Sequence, residues 1–172
     1  YNYNDTPRPE AIEEFVDNIA DFSIDPNDEK INDCEIALVL DYPFKAFKIN
    51  DNKSIAYAKT EEIFGLNGFQ DCSDAFRHAF FNAINSKSVG TAIAKEFGDA
   101  HECPKVNEST MEIRDHQMDL WNNSVGYKVY KSCPSCTNEQ LAVKFLQELR
   151  NGAMLVFDDT ILVNSKSRCS YL

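Results

Sequence analysis

The stretch Asp71-Cys72-Ser73-Asp74-Ala75-Phe76-Arg77-His78-Ala79-Phe80-Phe81-Asn82-Ala83 decides the fold. Asp74, His78 and Asn82 place an acid, an imidazole and an amide at four-residue spacing, which on a helix is a single face. The other face carries Ala75, Phe76, Ala79, Phe80 and Ala83, small and aromatic residues suited to close helix packing. Asp71 or Ser73 is placed to cap this helix, which the pattern predicts over about 73–85. Two later segments, Asp99-Ala100-His101-Glu102 and Met118-Asp119-Leu120-Trp121-Asn122-Asn123, again set acids and amides on helical stripes with apolar neighbours. The expectation is a polar site shared between helices.

Working outward, Ile12, Phe15, Val16 and Ile19 predict a helix over about 9–20, preceded by a polar arm at 1–8. Ile31, Cys34, Leu38 and Val39 predict another that ends before Pro43. The aromatics Tyr42, Phe44 and Phe47 alternate with Lys45 and Lys48. In so acidic a chain they read as core residues with solvated lysines, rather than as a stacking platform for single-stranded nucleic acid. Helices are expected over about 54–64, 89–101 and 111–130, with a turn at Gly65-Leu66-Asn67-Gly68. Gly98 inside its helix costs about 1 kcal/mol relative to alanine, which draws attention to Asp99 beside it. The capping box Thr137-Asn138-Glu139-Gln140 opens a helix to about Arg150, closed by Asn151-Gly152. Two apolar runs, 153–157 and 160–163, split by Asp158-Asp159, predict a hairpin. The fold class is therefore mainly α, one domain over 1–172: a bundle of about six to seven helices with a short C-terminal β-hairpin and a motif-bearing core at about 60–130.

With 172 residues, 43% of them hydrophobic, the chain is long enough for one well-cored domain. A formal charge of -11 and no Lys/Arg cluster disfavour a nucleic-acid partner. The longest apolar runs, 36–40 and 153–157, are too short for membrane insertion. Cys34, Cys72, Cys103, Cys133, Cys136 and Cys169 form an even set that predicts disulfides in an oxidising compartment, with as many as fifteen pairings open. A first residue Tyr1 in place of Met predicts that a secretory signal once preceded it, and hence a secreted, extracellular protein. Sequons begin at Asn4, Asn52, Asn107 and Asn122.

The chemistry gathers in His78, Glu102, Asp99 and His101 as catalytic candidates, with Asp74, Arg77, Asn82, Asn122 and Asn123 as supporting or substrate-contacting groups. His78, Asp99 and Asp119 form a candidate metal set for a divalent ion, zinc for the imidazole-carboxylate mixture or calcium for an oxygen-rich shell. Such a metal polarises water for hydrolysis. Without one, a carboxylate against His78 makes a general acid–base pair. The competing reading is a buried hydrogen-bond network that only holds helices together. His116, in the charged run from Glu112, reads as solvated. Cys133-Pro134-Ser135-Cys136 before a helix resembles a redox dithiol but lacks a βαβ context, so a structural disulfide is preferred.

Taken as a string, 65–83, then Asp99-Ala100-His101-Glu102, then 118–126, resembles a family of uncharacterised domains found mainly in bacterial surface and secreted proteins. Its pattern is D-A-x-R-H-A-x-W-x-A, A-H-E and M-D-L-x-N-N-x-x-G, and here Phe81 stands where a tryptophan is frequent. The match covers about 60–127. The resemblance implies that Asp74, Arg77, His78, Asp99, His101, Glu102, Asp119, Asn122 and Asn123 belong together; it implies no activity. The leading functional expectation is a metal-assisted hydrolase. The alternative is an extracellular structural or adhesion subunit that contacts copies of itself or another extracellular protein. An inhibitor using its acidity against a basic partner is a third.

Overall fold

The computed structural model describes residues 31–104 and 107–172; the arm and helix expected within 1–20 lie outside them. Seven helices and one hairpin follow in order among the described residues: α1 (Asp33–Asp41), α2 (Pro43–Phe64), α3 (Cys72–Val89), α4 (Thr91–His101), α5 (Thr110–Ser132), α6 (Asn138–Asn151), β1 (Leu155–Asp158), β2 (Ile161–Asn164) and α7 (Lys166–Cys169). The mainly-α class with a C-terminal hairpin is what the periodicity implies.

The ends of these helices follow from local chemistry. Asn32 caps α1 reciprocally with Glu35, and its amide also donates to the carbonyls of Ala100 and His101, seating α1 on the end of α4. Asp71 caps α3 by accepting the Ser73 and Asp74 N–H groups. Ser109 and Thr137 open α5 and α6, each as one half of a capping box. Pro43 is the first residue of α2, where its missing N–H removes nothing because first-turn donors have no partner within the helix. That helix was expected only from about residue 54. The polar run Asn50-Asp51-Asn52-Lys53 hides its apolar stripe, and Asn52 is itself buried. The expected burial of the aromatics before it is not found: Phe44 is 67% exposed and Phe47 47%, since α2 turns Ala46 and Ile49 inward instead.

Helix α3 is the axis of the packing; α2, α4, α5 and α6 all lie against it. Phe76 and Phe80, one turn apart, stack with centroids 5.5 Å apart, and Phe145 of α6 meets both edge-on at 6.4 and 6.3 Å. Burying each of these rings contributes about 2–3 kcal/mol. A smaller apolar cluster joins Val39, Ala46, Ile49, Val89, Ala94 and Phe97 across α1, α2, α3 and α4.

The hairpin pairs Val156 with Val163 and Phe157 with Leu162. It is tied to the bundle by the Phe157 N–H, which donates to the Gln70 carbonyl, and by Asn122. The Asn122 amide acts as a strand would, accepting from the Leu155 N–H at 2.9 Å and donating to the Leu155 carbonyl at 3.0 Å. Disulfides join Cys34–Cys103, Cys72–Cys169 and Cys133–Cys136. Among the described residues no helix is long and apolar enough to cross a membrane.

Candidate functional site

Three elements build the polar cluster. Helix α3 projects Asp74, His78 and Asn82 toward α5, because its Phe76, Ala79 and Phe80 belong to the apolar core. Helix α5 returns Asp119 and Asn123 from the stripe that faces α3. The residue that ends α4, Glu102, turns its carboxylate in from the third side.

His78 is the centre of this arrangement. Its Nε2 lies 3.5 Å from Asp74 Oδ1 and 3.4 Å from Asp119 Oδ1, and its Nδ1 lies 3.9 Å from Glu102 Oε1. Asp74 is held in place by the Gln70 N–H, which donates to Oδ2 at 2.6 Å, and by the Arg77 guanidinium on Oδ1. Arg77 is fixed in turn by the Gly68 carbonyl at 3.0 Å and by the Tyr57 ring, whose centre is 5.0 Å from Cζ. Arg77 thus positions Asp74.

Two oxygens have no such support. Asp119 Oδ1 and Glu102 Oε1 are buried and accept no hydrogen bond, although both border His78. An unpaired buried carboxylate oxygen costs more than a neutral one, and the protonation states follow from that. Burial pushes the Asp119 carboxyl well above the usual range, and the charges of Asp74 and Glu102 push the same way. Burial also raises Glu102, against the pull of His101 and His116. Asp74 rises to about 6 through burial, although Arg77 opposes it. Burial, with Arg77, holds His78 well below its ordinary value, so the ring is neutral and has a lone pair to give. One donor atom each from Asp74, His78 and Asp119 lie within 4.8 Å of one another, a set that fits one divalent ion.

Around this centre runs a second layer, of which periodicity revealed Asn82 and Asn123 but not His116, Gln70 or Tyr127. His116, expected to be solvated, bridges two acids: Nδ1 is 2.9 Å from Glu102 Oε2 and Nε2 is 3.1 Å from Glu108 Oε1. Gln70 donates to Asp115 Oδ1 at 2.9 Å. Below His78, the Tyr127 hydroxyl donates to Asn82 Oδ1 at 2.8 Å, and the Asn82 amide donates to Asn123 Oδ1. Gly98 makes room for this pair, since a Cβ there would stand 2.4 Å from the Tyr127 hydroxyl and 2.8 Å from Asn82 Oδ1. Its role is that clearance rather than any task of Asp99.

Asp99 and His101 do not join the others. Asp99 pairs with Lys95 on the half-exposed side of α4, and His101 Nδ1 meets Glu35 Oε1 at 2.9 Å on the surface. Burial opposes protonation of His101, but Glu35 outweighs it and raises the ring. In the donor set Asp74 stands where Asp99 was expected, because α4 directs Gly98 toward α5 and the next residue outward. Asn122 serves the hairpin instead of the cluster. The sequons at Asn52 and Asn122 are buried, so neither accepts a glycan in the folded chain; Asn107 is exposed.

A family profile, described as a domain of unknown function (DUF6973), matches residues 36–153. The chain belongs to that family. No curated protein and no solved structure matches it. The DUF6973 span is wider than the 60–127 motif string, and takes in α2 and the Cys133–Cys136 turn. Every residue of the His78 cluster falls inside it, while β1 and β2 lie beyond its end.

Proposed function

We propose that this DUF6973 chain is a secreted, disulfide-bonded domain whose cluster binds one divalent cation through Asp74, His78 and Asp119 and uses it for hydrolysis. The observation that carries this reading is the pair of unsupported buried oxygens flanking His78. A cation there turns one of those oxygens, Asp119 Oδ1, into a ligand, leaves Glu102 Oε1 beside it as a proton acceptor, and favours the ionised carboxylates that burial alone disfavours. When bound, the ion supplies Lewis-acid activation of water. Glu102, adjacent to His78 and held by His116, is placed to take or return the proton. The His78 side chain keeps 15% of its surface exposed, against 2% for Asp74, which makes it the side of the cluster nearer to solvent. Three disulfides favour an oxidising, extracellular setting.

The test is calorimetric titration of chelator-treated protein with zinc, manganese and calcium, followed by turnover of ester, peptide and phosphoester panels. One equivalent should bind, and His78→Ala and Asp119→Asn should each weaken binding about 100-fold or more. Glu102→Gln should keep the ion and lose turnover. The second reading, a structural subunit, is favoured by the fully paired Tyr127-Asn82-Asn123 layer beneath the cluster. It predicts no binding at millimolar metal, and an Asp119→Asn variant more stable than the parent because a buried acid has been neutralised.

A further inference from the structure

All six cysteines are paired, but the three disulfides differ in what they join. Cys34–Cys103 and Cys72–Cys169 are separated by 69 and 97 residues and fasten distant elements together. Cys133–Cys136 is separated by 3 and spans only the turn between the end of α5 and the cap of α6. Because stabilisation by a disulfide grows with the loop it closes, this bridge contributes least to holding the fold.

Its surroundings suit chemistry instead. Cys136 is 5% exposed and lies in the apolar core, whereas Cys133 is only partly buried, so one sulfur is reachable and its partner is sheltered. Thr137 caps α6 immediately after Cys136, which sets the positive end of that helix beside the sheltered residue. From α3, the Lys87 ammonium donates to the Cys136 carbonyl at 2.9 Å. The helix end favours a thiolate on Cys136, whose backbone Lys87 holds, and a thiolate so stabilised is a good leaving group. An open groove of about 410 Å³, lined by Cys136, Glu139, Gln140, Val143 and Lys144, runs along α6 on the Cys136 side of the turn.

We propose that Cys133-Pro134-Ser135-Cys136 is a thiol–disulfide exchange site whose co-reactant is a reduced polypeptide carrying two cysteines. A substrate thiolate attacks Cys133 Sγ; the Cys133–Cys136 bond breaks and Cys136 leaves as thiolate. The second substrate thiolate attacks the substrate sulfur of the mixed disulfide, releasing Cys133. The substrate dithiol is oxidised to a disulfide, the turn is reduced to a dithiol, and the two substrate thiol protons end on Cys133 and Cys136. The activity is separate from the His78 cluster and does not rest on metal binding there.

The test equilibrates the oxidised full chain in graded glutathione buffers, traps thiols by alkylation and locates them by mass spectrometry. Cys133 and Cys136 should be labelled in buffers that leave the other four cysteines bridged. A reduced two-cysteine peptide should then be oxidised stoichiometrically by wild type and not by Cys133→Ala/Cys136→Ala. Against an aryl disulfide probe, Cys136→Ala should react about tenfold or more faster than Cys133→Ala. The proposal is overturned if the turn resists reduction as long as the other bridges do. It is equally overturned if the double variant loses as much thermal stability as Cys72→Ala/Cys169→Ala, which marks the bridge as structural.

Discussion

Replacing Gly126 by alanine tests the contact on which the cluster depends. A Cβ at this position of α5 would stand 2.4 Å from the Ala79 carbonyl oxygen of α3 and 3.2 Å from Asn82 Cβ. Ordinary contact needs about 3.5 Å, so α5 must withdraw by about 1 Å. The obstacle is a backbone carbonyl inside a helix, which cannot rotate aside, and overpacking of this kind costs about 3 kcal/mol. Alanine's better helix propensity returns about 1 kcal/mol, leaving a net loss of about 2 kcal/mol. For a domain of this size that is a fall in thermal midpoint of roughly 4–8 °C. Circular dichroism melts of the oxidised proteins read it directly. Gly98→Ala is the comparison: its Cβ meets the Tyr127 hydroxyl at 2.4 Å and Asn82 Oδ1 at 2.8 Å, side-chain atoms that can move. It should lose less, and adding Tyr127→Phe should recover part of that loss by removing the obstructing hydroxyl. If Gly126→Ala melts with wild type, or loses less than Gly98→Ala, the close approach of α3 and α5 is not what holds the site.

Asn122→Ala should leave the Leu155 N–H and carbonyl without their helix partner and cost about 2–4 kcal/mol in urea unfolding. Amide exchange in β1 should rise while α3 stays protected, and an unchanged hairpin would show that Asn122 does not anchor it. His116 supplies a pH test. Burial pulls its pKa down, but the hydrogen bond and charge of Glu102, with Glu108 and Asp115, raise it above the ordinary imidazole value. Its stabilisation is therefore fully present below about pH 6.5 and is lost as pH rises through the raised value. Wild type should exceed His116→Gln in urea midpoint at pH 6, and the gap should narrow toward pH 9; a gap that does not change with pH would show that the ring is not charged when folded.

Much of the fold was legible because its helices obey local rules that need no tertiary knowledge. Asp71 and Thr137 stand at their caps, and the apolar spacing of Phe76, Ala79, Phe80 and Ala83 reports a buried face. The first half of α2 was hidden because its inward positions include Asn52, whose amide is satisfied by Asn85 and Ser88. A buried polar group paired across helices looks, in one dimension, like a solvated one. The same blindness explains Phe44, whose hydrophobicity says nothing about which side of α2 it occupies.

The site divides along the same line. Residues at helical spacing on α3 and α5, Asp74, His78, Asp119 and Asn123, were found because spacing alone puts them on facing stripes. What spacing cannot supply is the phase of α4 relative to them, and that phase depends on Gly98, whose missing Cβ lets Tyr127 reach Asn82. Once Gly98 faces α5, Asp99 must face away, and the chain has to run past His101 before Glu102 can turn back toward His78. His116 was missed for a related reason: its partners Glu102 and Glu108 lie in the loop after α4, whose path no periodicity describes. The acid that reaches His78 from the third side is therefore set by a glycine immediately before the polar motif and by a disulfide at the residue after Glu102, Cys103, which holds that loop to α1. Geometry at this centre is fixed by its neighbours' sizes and tethers more than by its own charges, which is why a change at Gly126 or Gly98 should disturb it as surely as a change at His78.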